Sequence, residues 1–208
     1  MNYWTIKTMD TANGPWLRVS LFVSGCPHWC VGCFNAVAWD FNYGSLFTQE
    51  VIDTIIKEVW KPHITGITLL WGEPLAPENQ EEVRNLLKQL KEKCPEKTIW
   101  CFSGYTYEFI TEYMFPNLPY THKILSTLDV LVDGRFEQDL LDLKLKFRGS
   151  RNQRVLDVPR SLEKWEAVWS TAVDDKNKWI YRASWEVEKF WALFEKKRGV
   201  ITPQNLSL

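Results

Sequence analysis

The sequence predicts an α/β fold in which parallel strands alternate with helices. Short apolar segments rich in β-branched residues recur along the chain up to residue 133, and each is closed by glycine, proline or serine. Between them, apolar residues recur at the spacing of amphipathic helices. Strands that alternate with helices in this way are typical of βαβ units and a parallel sheet.

Four strands are predicted, at residues 17–24, 66–70, 98–102 and 128–133. Each is followed by a segment with unusual composition: a cysteine-rich loop, Trp71-Gly-Glu-Pro, Ser103-Gly and Gly134, respectively. Because ligands of parallel sheets bind beyond the carboxyl ends of the strands, we expect these four segments to meet at one binding site.

Helices are predicted from Thr48, which is a typical N-cap residue, from Pro77, and over residues 107–113. Residues 142–157 are polar and irregular in pattern. Two amphipathic helical stretches are predicted beyond them, with the following apolar residues: Leu162, Trp165, Val168, Trp169 and Ala172 in the first, and Val187, Phe190, Trp191 and Phe194 in the second. We therefore divide the chain into a core domain, 1–157, and a tryptophan-rich helical C-terminal extension, 158–208.

Composition narrows the class of protein. The 208 residues are 45% hydrophobic and 25% charged, with a formal net charge of -1, as expected for a globular protein with no general affinity for nucleic acid or anionic membranes. No apolar run approaches the roughly 20 residues of a membrane span, and the first residues lack the apolar segment of a signal peptide. We expect a cytoplasmic protein that binds neither nucleic acid nor membrane; the basic segment 144–154 is interpreted as a solvated or partner-facing loop.

Three of the five cysteines, Cys26, Cys30 and Cys33, stand close together in one loop. An odd number of cysteines crowded in this way indicates metal binding rather than a disulfide framework. A structural zinc site or an electron-transfer cluster normally has four protein ligands, so zinc would need a fourth such as His28 or Cys94. Three cysteines on a four-iron cluster would instead leave one iron open to another ligand.

The spacing C-x3-C-x2-C resembles the signature of the radical S-adenosylmethionine enzymes. A larger part of the chain, about residues 1–157, is similar to one branch, the activating proteins of anaerobic ribonucleoside-triphosphate reductase. Besides the cysteine loop, the similar segments are Asn13-Gly-Pro, Gly72-Glu-Pro-Leu, Ser103-Gly-Tyr, Leu131-Val-Asp-Gly-Arg-Phe and Phe147-Arg-Gly-Ser-Arg-Asn-Gln-Arg. The last two indicate this branch specifically.

The resemblance implies an incomplete parallel (βα) barrel and assigns roles to residues. Cys26, Cys30 and Cys33 would ligate a [4Fe-4S] cluster, whose fourth iron binds S-adenosylmethionine. The residues implied to contact this cofactor are Gly32, Cys33, Phe34, Gly72 and Glu73. Trp71 stands where the family has the first glycine of its Gly-Gly-Glu/Asp-Pro motif, so the shape of the cofactor pocket is expected to differ here.

The implied activity is reductive cleavage of S-adenosylmethionine to a 5'-deoxyadenosyl radical, which then generates a glycyl radical on anaerobic ribonucleoside-triphosphate reductase. No residue is assigned as a general acid or base, and the electron would come from a low-potential donor such as flavodoxin or ferredoxin. Two alternatives remain at this stage. The same scaffold could act on another glycyl-radical enzyme or a purine-like small molecule, or the chain could be a non-enzymatic zinc or electron-transfer protein.

Overall fold

A computed structural model of the protein describes residues 1–173, which form one mixed sheet with helices packed mainly on one face. The sheet has 7 strands in the order β3-β1-β2-β4-β5-β6-β7. The strands are β1 (Asn2–Asp10), β2 (Arg18–Val23), β3 (Ser45–Leu46), β4 (Gly66–Trp71), β5 (Thr98–Phe102), β6 (Val130–Asp133) and β7 (Arg154–Asp157). Strands β2, β4, β5 and β6 are mutually parallel, so their carboxyl ends lie along one edge.

Six α-helical segments accompany the sheet: α1 (Gln49–Val59), α2 (Gln80–Lys93), α3 (Tyr107–Phe109), α4 (Phe115–Asn117), α5 (Thr121–Leu125) and α6 (Val158–Lys164). A π-helical segment, Ile110–Met114, joins α3 to α4, and 3-10 turns lie at Ala36–Trp39 and Gln138–Leu140. Within residues 1–173, no helix is long and apolar enough to cross a membrane.

The alternation of side chains along the strands separates two apolar layers. Val19, Leu21 and Val23 of β2 point into the larger core, where they meet the apolar faces of α1 and α2. On the opposite face, Trp100 and Val132 belong to a second, smaller cluster. The central strands are therefore covered on both faces, as parallel strands usually are.

Arg18 lies buried at the amino end of β2, on the face opposite the larger core. Its guanidinium donates four hydrogen bonds, to the Thr68 hydroxyl and the Ile67 carbonyl on β4 and to the hydroxyl and carbonyl of Thr98 on β5. Burial lowers its pKa to about 10, so the group stays protonated at neutral pH. One side chain thus links three adjacent strands.

The structure confirms an α/β fold but corrects the predicted sheet. The four predicted strands are present and parallel, whereas β1, β3 and β7 pair antiparallel and form the two sides of an open sheet; a barrel is not formed by the described residues. Strand β7 lies inside the segment predicted to be irregular. It has only four residues, Arg154–Asp157, which is too short for a visible alternation.

The first predicted helix of the C-terminal extension is wrong beyond Lys164. Helix α6 starts at Val158, where the side chain of Asp157 accepts a hydrogen bond from the Arg160 amide. It ends at Lys164, because the next residue, Trp165, has a left-handed φ of 53°. Residues 168–170 then run antiparallel to β7, and the backbone amide of Asp157 donates a hydrogen bond to the Val168 carbonyl. The second predicted helix, with Val187 and Phe194, lies outside the described residues, and the division at residue 157 stays a prediction.

Candidate iron–sulfur and cofactor site

The cysteine loop leaves the carboxyl end of β2 and is fixed by backbone hydrogen bonds. The amide of Gly25 donates to the Ala38 carbonyl over 2.8 Å, and the amide of Cys33 to the Cys30 carbonyl over 3.1 Å. Gly25 and Gly32 have φ angles of 88° and 72°, which favour glycine. A Cβ atom on Gly25 would also lie 2.1 Å from the ring of Phe41, so no larger residue fits there.

All three loop cysteines line one cavity of about 270 Å³ at the carboxyl edge of the sheet. The ends of the other parallel strands reach the same cavity through Trp71 and Gly72, Ser103 and Gly104, and Gly134. Three of the residues predicted to contact the cofactor line this cavity: Cys33, Phe34 and Gly72. The other two, Gly32 and Glu73, are not among the described residues of its lining. The predicted meeting of four strand ends is confirmed.

The donor set fits a cluster with three cysteine ligands. No group of three or more His, Cys, Asp or Glu side chains within residues 1–173 is arranged around a single metal ion. Cysteine thiols on one loop are the donor type that iron–sulfur clusters use. Cys94 and Cys101 are 1% and 0% exposed in the larger core, as expected for cysteines that take no part in the site.

Two of the loop thiols, those of Cys26 and Cys30, lie where burial opposes their ionisation. Burial raises the pKa of Cys26 well above its ordinary value, and the carboxylate of Glu73 raises it further. Burial also raises the pKa of Cys30, although the charge and hydrogen bond of Arg135 oppose this effect. Because metal ligands are thiolates, the positive charge of a bound cluster would supply the missing compensation.

Glu73 is fully buried and accepts hydrogen bonds from four protein groups. Its Oε2 accepts from the Gly104 amide at 2.7 Å and pairs with His28 Nε2 at 2.6 Å; its Oε1 accepts from the Leu75 amide at 2.8 Å and the Ser103 hydroxyl at 3.0 Å. The carboxylate therefore joins the cysteine loop to the ends of β4 and β5. The backbone of Glu73 is also bonded within the protein, since its amide donates to the Gly25 carbonyl at 2.7 Å and its carbonyl accepts from the Ala76 amide at 3.0 Å.

His28 lies inside the cysteine spacing but is directed toward Glu73. Its ring is 4% exposed and packs edge-on against Tyr105, with 4.5 Å between ring centroids. A Cβ atom on Gly104 would lie 2.4 Å from His28 Cδ2, so the imidazole occupies the space that a side chain at position 104 would need. The sequence indicates neither contact, because the three segments meet only in the fold.

Arg135 belongs to the site, although the sequence analysis assigned it no role. It follows β6, donates a hydrogen bond to the His28 carbonyl, and interacts with the Cys30 thiol. Its position directly after a predicted strand, in the segment that resembles the activating proteins, is the signal that could have identified it. Positive charge beside a cluster ligand is one of the means by which proteins adjust a cluster.

Trp71 has an unusual backbone conformation at the end of β4. Its φ is 86°, a region that costs a bulky residue about 1–3 kcal/mol and that glycine adopts freely. The adjacent Gly72 is needed for space, since a Cβ atom there would lie 2.7 Å from the Gly25 carbonyl oxygen. The glycine that the family motif has at this position would adopt this φ without strain, whereas this chain has a tryptophan there.

A polar network lies beside the cavity. Arg154 binds both Asp133 and Glu108, and the Tyr107 amide donates to Asp133 Oδ2 at 2.8 Å. Burial would raise the pKa of Glu108, but the hydrogen bond and charge of Arg154 hold it below its ordinary value. Asp133 is fully buried, and there burial outweighs Arg154 and raises the pKa. This network fixes the end of β6 next to the start of α3.

Comparison with known proteins identifies the family. The model of the 4Fe-4S single cluster domain matches residues 12–156. The anaerobic ribonucleoside-triphosphate reductase-activating proteins of Enterobacteria phage T4 and Vibrio cholerae are each 41% identical over 155 residues, 74% of this chain and 93% and 96% of those relatives. The protein of the same name from Escherichia coli K12 is 39% identical over 157 residues, 97% of its length. The chain therefore belongs to the family of anaerobic ribonucleoside-triphosphate reductase-activating proteins.

Proposed function

We propose that this protein binds a [4Fe-4S] cluster through Cys26, Cys30 and Cys33, reductively cleaves S-adenosylmethionine, and generates the glycyl radical of anaerobic ribonucleoside-triphosphate reductase. The main observation is that three cysteines of one loop line a single cavity where the ends of four parallel strands meet. Family membership supports the cluster over zinc, and the name of the relatives supports the reductase as the partner.

Cys26, Cys30 and Cys33 would hold the cluster, which when bound would supply the one-electron reduction that cleaves S-adenosylmethionine to methionine and a 5'-deoxyadenosyl radical, the species needed to take one hydrogen atom from the target glycine. The chain itself contributes ligands, position and shelter from water. Phe34, Phe102, Phe136 and Leu70 form the apolar part of the cavity wall, and Asn13, Asn35 and Gln153 supply polar groups. No described residue needs to act as a general acid or base in this scheme.

The cofactor contacts are assigned on the same basis. Phe34 is 75% exposed, and its ring lies 5.6 Å from that of Phe136, so it can cover a bound adenine. Gly32 and Cys33 would approach the cofactor through their backbone. Gly72 would do so at the opposite wall, where it has no side chain to obstruct the cofactor. Glu73 would hold that wall in place, because its amide donates to the Gly25 carbonyl and its carboxylate accepts from the Gly104 amide. The three cysteines would leave one iron of the cluster open to S-adenosylmethionine.

The remaining parts of the proposal concern partners. One electron per turnover has to come from a low-potential donor such as flavodoxin or ferredoxin, in the cytoplasm. The reductase must present its glycine as part of a polypeptide loop, and a cavity at an open sheet edge gives such a loop access. Neither nucleic acid nor membrane is required.

The test is anaerobic reconstitution of the full chain with iron and sulfide, followed by dithionite, S-adenosylmethionine and the reductase. We expect about four irons per chain, formation of 5'-deoxyadenosine, and a glycyl doublet in the electron paramagnetic resonance spectrum. A colourless protein that holds one zinc would contradict the proposal. Cofactor cleavage without a glycyl signal would favour the alternative substrates, another glycyl-radical enzyme or a purine-like molecule.

Cysteine variants test the ligand assignment. Cys30→Ala should lose the cluster and all cofactor cleavage while keeping the fold, because its thiol lies in the loop and the cavity rather than the core. Cys94→Ala is the matched control, since Cys94 lies in the larger core and outside the described cavity lining. Equal iron content in both variants would refute the assignment.

A further inference from the structure

Trp71 combines a strained backbone with a position in the cofactor cavity. It is the last residue of β4, its φ is 86°, and it lines the cavity together with the three loop cysteines. Strained conformations persist only where the surrounding structure holds them, and they cluster at functional sites. A glycine would adopt this φ without strain, so the tryptophan must be retained for its side chain.

The Trp71 ring is held in place by two other aromatic residues. Its centroid lies 3.8 Å from that of Trp4 and 5.1 Å from that of Phe22, with interplanar angles of 86° and 80°. Phe22 and Trp4 also meet edge-on, at 5.9 Å. Trp4 and Phe22 lie outside the described lining of the cavity and pack against the Trp71 ring, so Trp71 is the member of this group that reaches the cavity.

The indole nitrogen of Trp71 is buried and has no hydrogen-bond acceptor among the residues that the structure describes. An indole can only donate, and an unpaired buried donor is unfavourable unless a ligand supplies the acceptor. Trp39 Nε1 shares this property, but Trp39 does not appear in the described lining of the cavity. Only Trp71 combines an unpaired donor, a left-handed backbone and the cavity wall within residues 1–173.

We propose that the Trp71 indole N–H donates a hydrogen bond to bound S-adenosylmethionine and that its ring forms one wall of the cofactor site. This inference rests on the proposed function. S-adenosylmethionine carries suitable acceptors in its carboxylate, ribose hydroxyls and adenine nitrogens. Trp71 is thereby a cofactor-binding residue of this chain, at a position where the family has a glycine that can donate only through its backbone.

The test measures S-adenosylmethionine binding to the reconstituted enzyme with an oxidised cluster, by anaerobic equilibrium dialysis, so that no turnover occurs. Trp71→Phe keeps a ring but removes the donor, and we expect binding to weaken by about fivefold or more at unchanged iron content. Trp60→Phe is the control, because it removes an indole from an exposed tryptophan that lies outside the described cavity lining. It should bind the cofactor as the parent does.

Trp71→Gly provides a second variant that suits the backbone, since glycine adopts a φ of 86° without strain. It should also hold a full complement of iron and bind the cofactor more weakly than the parent. Parent-like binding by both Trp71 variants would overturn the role of Trp71 and leave the proposed function intact. Absence of binding and cleavage by the parent itself would overturn the proposed function, and this inference with it.

Discussion

Replacing Glu73 with glutamine should destabilise the protein strongly, although the two side chains have nearly the same shape. Each carboxylate oxygen accepts from a backbone amide, Oε1 from Leu75 and Oε2 from Gly104. A glutamine has one carbonyl oxygen and one NH2 group, so in either orientation its NH2 faces one of these amide donors. The Ser103 hydroxyl can reverse its role and accept, but a backbone amide cannot.

The magnitude follows from this count. One buried donor left without an acceptor costs about 1–3 kcal/mol, and loss of charge from the remaining hydrogen bonds adds to it. We therefore expect Glu73→Gln to lower the free energy of unfolding by about 2–4 kcal/mol. For a chain of this size, each kcal/mol corresponds to roughly 2–4 °C, so the melting temperature should fall by about 4–16 °C.

The assay is thermal unfolding of the cluster-loaded protein, followed by circular dichroism under anaerobic conditions. Glu92→Gln serves as the control, because Glu92 is exposed on α2 and forms only a long ion pair of 3.8 Å with Lys88. Its melting temperature should change by about 1 °C or less. A Glu73→Gln variant as stable as this control would refute the described hydrogen bonds.

Two further predictions concern the same edge of the sheet. Gly104→Ala should lower the melting temperature and the iron content, because its Cβ atom would lie 2.4 Å from the His28 ring; an unchanged protein would show that the imidazole is not held there. The pKa of Glu108 is depressed in the folded state, so its ion pair with Arg154 stabilises the protein above pH of about 4.5 and is lost as pH falls below it. Arg154→Met should weaken this acid dependence and leave Asp133 buried without its cation; a parent-like pH profile of unfolding would contradict the assignment.

The central part of the fold was predictable from the sequence, and the sides of the sheet were not. Strands buried on both faces are continuous apolar runs bounded by turn residues, which is why residues 66–70 and 128–133 could be recognised. Strands β3 and β7 have two and four residues, too few for any periodicity. Trp165 ends α6 by adopting a left-handed φ, an event that apolar spacing does not reveal.

The candidate site was predictable where spacing along the chain defines it. Cys26, Cys30 and Cys33 lie in one loop, so their convergence on one cavity follows from local geometry. The partners of Glu73 come from three separate segments, and only the packed structure shows that its carboxylate is used inside the protein. The motif places Gly72 in the lining of the cavity, whereas the contact of Gly72 and Glu73 with the cofactor stays a prediction.

The buried Arg18 has a consequence for the distant cavity. A slip of β2 by one residue against β4 would move the strand by about 3.3 Å and turn its side chains to the other face. The guanidinium would then lose its acceptors on both β4 and β5, and a buried charge without partners is strongly unfavourable. Arg18 therefore fixes the register of β2 against β4 at the amino ends of the strands. At their carboxyl ends this register pairs Val23 with Trp71 and so sets the position at which the cysteine loop begins.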